Sequence, residues 1–383
     1  MALLPDILIV DATDRFGWLA GRILADLGGD VIKLDSPETD RSGPDWRAFN
    51  VNKRVLDFDP TAPADRAALE DLLAKADICL LTPATCDFGG GLNRHALRER
   101  YPRLVVVAIT PFGSAGPRRS WRGTDIEVMA AGGAMALAGE PDGAPLRVSE
   151  PQSYAWAGAQ AATGALVALY RREMTGRGDL VEVSAQACVV AAIAHAPAFF
   201  DILGIEPKRA GAFMTGRSIR GARYRVFWPC QDGWLNFIFY GGNAGRRTNE
   251  QLIAWMRERG ADPGGLAQID WSHFDPTRAD QAAVDALEAP ALKFFAQLTK
   301  REFLTETHRR EMLGYPVSTV ADIATDPQLE ARGFFETVAS ARGKSETHCG
   351  AFAVIDRQRP PLRHVGGIPV ATESERLKAG AGP

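Results

Sequence analysis

No stretch of the sequence approaches the roughly 20 uninterrupted apolar residues that a membrane helix requires. The start, Met1-Ala2-Leu3-Leu4-Pro5-Asp6, lacks the basic segment and small-residue cleavage site of a secretory leader, so a cytoplasmic protein is expected. Cysteine is scarce: five residues, at 79, 86, 188, 230 and 349, never form C-x-x-C, which supports neither a disulfide framework nor a zinc site. The six histidines form no H-x-x-x-H pair, so no metal site is expected. Positive charge is not in excess either: 44 Lys and Arg stand against 47 Asp and Glu, which argues against a general nucleic-acid or membrane-surface role. Two glycine signatures are missing. Without G-x-G-x-x-G after the first strand a nicotinamide oxidoreductase loses support, and without G-x-S-x-G there is no hydrolase elbow. Gly89-Gly90-Gly91 is followed by no Lys-Ser/Thr and reads as a turn, not a phosphate loop.

What is present is an alternation. Ile7–Val10 is β-rich, then an apolar helical period over Phe16, Leu19, Ile23, Leu24 and Leu27 runs to Gly28-Gly29, and Val31–Leu34 is β-rich again. The pattern repeats as a helix over 66–76, a strand over 78–81, a helix over 94–100 and a strand over 104–109. Strands alternating with helices mean a parallel sheet covered on both faces, with ligands expected at the carboxyl ends of the strands, after Val10, Leu34, Leu81 and Ile109. Glycines between 125 and 170, Gly158 and Gly164 among them, read as sites of close helix packing. From Tyr224 the composition changes. Residues 226–228 and 234–240 bracket Gln231-Asp232-Gly233 as a hairpin, with mostly helical sequence beyond. At 383 residues the chain is long enough for two domains, here 1–224 with 326–383 as the larger and 225–325 as a smaller α+β domain.

Several strings carry a resemblance by their order and spacing: Asn52-Lys53-Arg54; Thr110-Pro111-Phe112-Gly113-Ser114-Ala115-Gly116-Pro117; Gly139-Glu140-Pro141-Asp142-Gly143; Thr175-Gly176-Arg177-Gly178; and Asp326-Pro327-Gln328 with Arg332-Gly333-Phe334. Together they resemble the family III CoA-transferases, the group of formyl-CoA transferase, carnitine CoA-transferase and α-methylacyl-CoA racemase. The resemblance implies an α/β fold whose large domain has a Rossmann-like parallel sheet completed by a returning C-terminal segment. It further implies an interlocked dimer, and coenzyme A or an acyl-CoA as substrate, with no permanently bound cofactor. Lys53, Arg54 and Arg122 are candidates for the phosphates, since guanidinium gives bidentate contacts and ammonium a point charge; Pro111, Phe112 and Gly113 are candidates for a CoA-contacting loop.

The transferases of this family attack the thioester with an Asp that lies four residues before a Gly matching Gly158. Here that position is Tyr154, and a phenol with an ordinary pKa near 10 is a poor substitute for a carboxylate. The histidine of the racemases matches Thr124, so two-base racemisation loses its support as well. The loop after the first strand reads Arg15-Phe16-Gly17-Trp18, one residue shorter than the family pattern, and Leu81-Thr82-Pro83 also departs from it. Three readings stay open. The chain is the subunit without the nucleophile in a heteromer with an Asp-bearing homologue, as in the arylsuccinate type; or another carboxylate, Glu150 or Asp125, has taken over in a homomeric transferase or acyl-CoA isomerase; or the chain is a non-catalytic CoA-binding protein. Tyr154 itself either donates a hydrogen bond to a thioester oxygen or packs among neighbouring aromatics.

Overall fold

The computed structural model describes residues 3–83, 93–216, 218–339, 345–365 and 368–369; the Gly89–Gly91 turn lies outside them. Short Ile-, Val- and Leu-rich runs form six parallel strands: β1 (Leu8–Ala12), β2 (Asp30–Asp35), β3 (Arg54–Asp57), β4 (Ile78–Leu81), β5 (Val105–Thr110) and β6 (Leu180–Ser184). Their order is β3-β2-β1-β4-β5-β6, and Ile368–Pro369 adds a parallel segment outside β3. Every residue of β4 and β5 is buried, the signature of a sheet covered on both faces. The chain reverses its direction of travel across the sheet between β1 and β4, so the crevice at their carboxyl ends is the topological switch point.

The helices α1 (Trp18–Asp26), α2 (Pro44–Phe49), α3 (Pro63–Leu73), α4 (Arg94–Arg100), α5 (Asp125–Ala131), α6 (Gln152–Thr175), α7 (Ala185–Ala192) and α8 (His195–Leu203) belong to the same compact unit. One face of the sheet packs Ile9, Val105 and Val107 against Leu24 of α1 and Ala157, Ala161 and Ala165 of α6. The other packs Val10, Ile32 and Val106 against Leu72 and Leu97. The small side chains on α6 set how close it lies: a Cβ on Gly158 would stand 2.9 Å from Leu19 Cβ and 3.2 Å from the Ala20 nitrogen. No single helix among the described residues is long and apolar enough to cross a membrane.

A second compact unit comprises Ala136–Leu146 and Pro207–Asp326. It starts earlier than the expected residue 225 and includes the 136–146 excursion, so the boundary falls differently from the expected 1–224/225–325 division. The first unit comprises Met1–Met135, Arg147–Glu206 and the returning Pro327–Pro383. In the second unit β7 (Phe213–Met214) pairs with β8 (Tyr224–Arg225), while β9 (Phe227–Cys230) and β10 (Gly233–Asn236) form the expected hairpin, extended by β11 (Tyr315–Pro316). Helices α9 (Gly242–Glu258), α10 (Gln281–Phe295) and α11 (Lys300–Arg310) cover it. The aromatics of the hairpin region, Trp228, Phe237 and Phe239, are buried with Phe294, Phe295 and Phe303 and make the core of this unit.

Candidate functional site at the carboxyl edge of the sheet

The loop after β1 is held by buried charge. Asp11 ends the apolar run of β1 and is fully buried; its Oδ1 accepts the Thr13 N–H at 3.0 Å and the Thr13 hydroxyl at 2.6 Å. Its Oδ2 meets Lys53 Nζ at 2.7 Å. The Lys53 ammonium also donates to the Trp18 carbonyl at 2.8 Å and to Asn50 Oδ1 at 2.9 Å, so all three of its donors are used inside the protein. Lys33, equally buried, donates to the Thr13 and Leu34 carbonyls at 2.5 and 2.8 Å. Helix α1 approaches this pair at Gly21, where a Cβ would stand 2.2 Å from Asp11 Oδ2.

Burial alone would raise the Asp11 pKa, but Lys53, Lys33 and the hydrogen bonds from Lys53 and Thr13 outweigh it and hold the carboxyl below its ordinary range. Burial pushes Lys53 down to about 8 despite Asp11, and the neighbouring cations Lys33 and Arg22 push the same way. Nearby, burial raises the Asp26 carboxyl even though Arg22 pairs with it at 2.6 Å.

The Asn52-Lys53-Arg54 string therefore works as a clasp. Asn52 adopts a positive φ of 64°, which asparagine tolerates. Its side chain donates to Asp26 at 2.8 Å and accepts the Arg363 N–H at 2.6 Å, tying α1 to the returning segment. Arg54, at the amino end of β3, pairs in a fork with Asp30, with Nε 2.7 Å from Oδ1. The structure thus places Lys53 in the interior and Arg54 at the edge opposite the switch point.

At the switch point itself the Asp14 N–H donates to Thr82 Oγ1 at 3.0 Å, joining the loops after β1 and β4. Asp14 Oδ1 accepts the Phe16 N–H at 3.0 Å, and Arg15 pairs with Asp45. Phe16 lies 4.8 Å, centroid to centroid, from the ring of Tyr154 in the first turn of α6. The Tyr154 hydroxyl accepts the Asp125 N–H at 3.2 Å, and its own proton has no acceptor among the described residues. Burial raises its pKa, with the Asp125 and Asp14 carboxylates adding to the rise, so the phenol is neutral at pH 7. The Asp125 carboxylate is occupied elsewhere: its Oδ1 accepts both the N–H and the hydroxyl of Ser153 at 2.8 Å. It thereby caps α6, whose own cap position is Pro151 and offers no side-chain acceptor.

Pro111, Phe112 and Gly113 follow β5 on the same edge, held by the Gly113 N–H on Thr110 Oγ1 at 3.0 Å and the Gln186 N–H on the Pro111 carbonyl at 2.9 Å. Arg122 is exposed and has no hydrogen bond or ion pair among the described residues. Glu150 is exposed, and its carbonyl rather than its carboxylate is bonded, to Gln152. Of the sequence candidates, Tyr154 and Asp125 are brought into direct contact, while Lys53, Arg54 and Glu150 are not brought to them. Asp11, Asp14, Phe16 and Lys33 were missed. The available signal was Asp11 itself, a carboxylate closing an apolar strand, which must find a partner when buried.

The family model for CoA-transferase family III matches residues 4–364. The chain belongs to that family. Family III chains similar to it include the succinyl-CoA:(R)-benzylsuccinate CoA-transferase subunit BbsE of Thauera aromatica, 29% identical over 86% of this chain and 82% of that one. A second is the succinate–glutarate CoA-transferase of Agrobacterium fabrum, 27% identical over 82% and 79%. The fold is shared with a CAIB/BAIF family protein from Brucella suis, with TM-score 0.78 and 24% identity over 99% of both chains.

Proposed function

We propose that this chain binds an acyl-CoA and takes part in CoA transfer from a thioester to a carboxylic acid as the subunit that lacks the nucleophile, beside an Asp-bearing homologue. The observation that carries this reading is Tyr154. In the family's reaction a carboxylate attacks the thioester carbonyl and expels CoA thiolate, leaving an anhydride; the thiolate then returns to the enzyme's acyl carbon and releases the donor acid, leaving the enzyme as a CoA thioester. A neutral phenol packed on Phe16 and bonded to the Asp125 N–H cannot be both that nucleophile and that leaving group. Neither neighbouring candidate replaces it: Asp125 is buried as a helix cap, and Glu150 faces solvent.

A partner subunit is supported by apolar side chains left uncovered along α6 and α8, among them Tyr170, Met174, Phe200 and Ile202, the last 75% exposed. Succinyl-CoA is the donor to try first, because both curated relatives are named for succinate or its thioester. The test is single-turnover incubation with succinyl-CoA, with the chain alone and with its Asp-bearing homologue, followed by peptide mass spectrometry after hydroxylamine or borohydride challenge. The expected adduct lies on the homologue's Asp. An adduct on Asp14, Asp125 or Glu150 of the isolated chain would mean a relocated nucleophile and would overturn the subunit reading.

A further inference from the structure

One ion pair in the second unit breaks a local rule. Glu258 is the last residue of α9, where the helix dipole presents its negative end and disfavours a carboxylate. Its cationic partners lie on α11 instead. Arg310 Nη1 donates to Glu258 Oε1 at 3.1 Å and Arg310 Nη2 to Oε2, while Arg309 Nη2 stands 3.7 Å from Oε2. The hydrogen bond from Arg310 holds the Glu258 carboxyl below its ordinary range, so it is ionised at pH 7. The two sides of this pair are unequal: the Arg310 side chain is 4% exposed and the Glu258 side chain 58%.

Arg310 is held in place by contacts other than Glu258. Its Nε donates to Glu306 Oε2 at 2.7 Å one turn back on α11, and its guanidinium lies 5.9 Å from the Trp255 ring centroid. Trp255 is buried and meets Phe294 edge-on at 4.9 Å, so the floor under the guanidinium is fixed. Only Nη1 and Nη2 are left for Glu258, and both residues line a groove of about 360 Å³ between α9 and α11. That volume lies in the range of small-ligand sites, about 300–1,000 Å³. The groove is one negative charge short: Arg259, Arg301, Arg309 and Arg310 line it against Glu258, Glu302 and Glu306. Glu302 is committed to capping α11 through the Thr299 N–H at 2.8 Å, and Glu306 to Arg309 at 2.6 Å. Arg301 is exposed and has no carboxylate partner among the described residues.

We propose that the Arg310 fork, with Arg309 beside it, is a binding site for the carboxylate of a small organic acid, and that Glu258 fills it as an internal stand-in. A guanidinium fork takes any carboxylate in the same two-bond geometry, so an incoming acid keeps both Nη hydrogen bonds. Glu258, already more than half exposed, moves into water from a helix end that disfavours it. Because Glu258 ties the end of α9 to α11, the exchange loosens that tie and makes the site an effector site of the second unit. All of its residues belong to that unit, and it does not depend on the proposed CoA-binding function. Glu258 competes as a tethered ligand, so its removal strengthens the binding of a free acid.

The test is calorimetric titration of the full chain with succinate, inorganic phosphate and neutral succinamide, with hydrogen exchange across α9 and α11 to locate the bound probe. Glu258→Gln, which removes the competing charge at nearly constant size, is expected to bind succinate roughly tenfold more tightly than the wild type or better. Adding Arg309→Ala to that variant should remove most of the gain, and succinate should slow exchange of α11 amides near Arg310. Arg223→Ala, a charge deletion elsewhere in the same unit, should change neither readout. Equal succinate affinity in the wild type and Glu258→Gln, or an exchange response confined to the first unit, would overturn the proposal. Phosphate bound as tightly as succinate would make this a general oxyanion site, and succinamide bound as tightly would show that charge is not read; either overturns the assignment to a carboxylate. Should Glu258→Gln fail to fold, Arg309→Ala alone, at an exposed side chain, reads the same site: an α11 exchange response to succinate as large as that of the wild type would overturn the proposal.

Discussion

The buried charges under the β1 loop do not balance, and this sets the order in which two substitutions should hurt. Lys33, Lys53 and Arg22 are buried with Asp11 and Asp26 to oppose them, the nearby Asp35 being paired with Arg41 at 3.1 Å. Lys53→Met removes the surplus cation. It leaves the Trp18 carbonyl and Asn50 Oδ1 without their donor, about 1 kcal/mol each, while Lys33 still compensates Asp11. The expected cost is about 2–3 kcal/mol, at or below the lower end for breaking a buried pair, because the surviving charges match. Asp11→Asn does the opposite. Three buried cations then face one carboxylate, and the expected cost is about 3–5 kcal/mol. Its pH dependence is also diagnostic. Burial pushes Lys53 from its ordinary value of 10.5 down to about 8 in the fold, and losing Asp11, which favours its charged form, pushes it lower still. Between the folded and unfolded pKa values the unfolded chain binds more protons, so stability rises with pH there. That window opens lower in Asp11→Asn, so its deficit against the wild type should narrow from pH 6 to pH 8. The assay is urea unfolding read through hydrogen exchange of β1 and β2 amides, which reports the first unit alone. A Lys53→Met cost equal to or above that of Asp11→Asn, or a deficit that widens with pH, would refute the charge accounting.

Asp125→Ala should destabilise by about 1–2 kcal/mol through loss of the α6 cap, while Asp125→Asn, which keeps an acceptor for Ser153, retains most of the stability in thermal melts. Tyr154→Phe should keep the Phe16 packing and cost about 1 kcal/mol for the acceptor lost to the Asp125 N–H, read by denaturant titration. In the second unit, burial raises the Glu288 carboxyl to about 7, against the opposing Arg225 N–H at 2.6 Å and the Arg225 guanidinium. A raised acid contributes stability that is present below its unfolded value of 4.5 and lost as pH rises through about 7. Protection of α10 amides should therefore fall from pH 5 to pH 7.5 in the wild type and change much less in Glu288→Gln.

Much of the sheet was legible because its strands are local apolar runs bounded by helical periods. The sequence places β4 at its observed limits, 78–81, and β1, β2 and β5 within two residues at either end. The sixth strand was not read as one. Leu180–Ser184 lies at the sheet edge, with only Val183 buried and Glu182 exposed, so it lacks the continuous apolar character of its neighbours. Helix α6 was visible only as a zone of small residues. Its 24 residues are rich in alanine and glycine and carry little apolar contrast between faces, so its length depends on what it packs against. Tyr154 could be placed because its position follows from counting within one helix.

Lys53 could not be placed, because its destination depends on Asp11, 42 residues upstream and on another strand. A lysine beside an arginine before a short strand carries the same local pattern whether it faces a phosphate or a buried carboxylate; burial decides, and burial is a property of the packed sheet. With the Lys53 ammonium enclosed among Asp11, Trp18 and Asn50, Arg54 tied to Asp30 at the amino edge and Arg15 tied to Asp45, the cations most available near the carboxyl edge are those between β5 and α5. The buried lysines brace the loop after β1, while Arg118 and Arg122, after β5, are exposed and have no carboxylate partner among the described residues. Substitutions in the first group should therefore appear as lost stability in denaturant titrations, whereas alanine at Arg118 or Arg122 should leave stability unchanged.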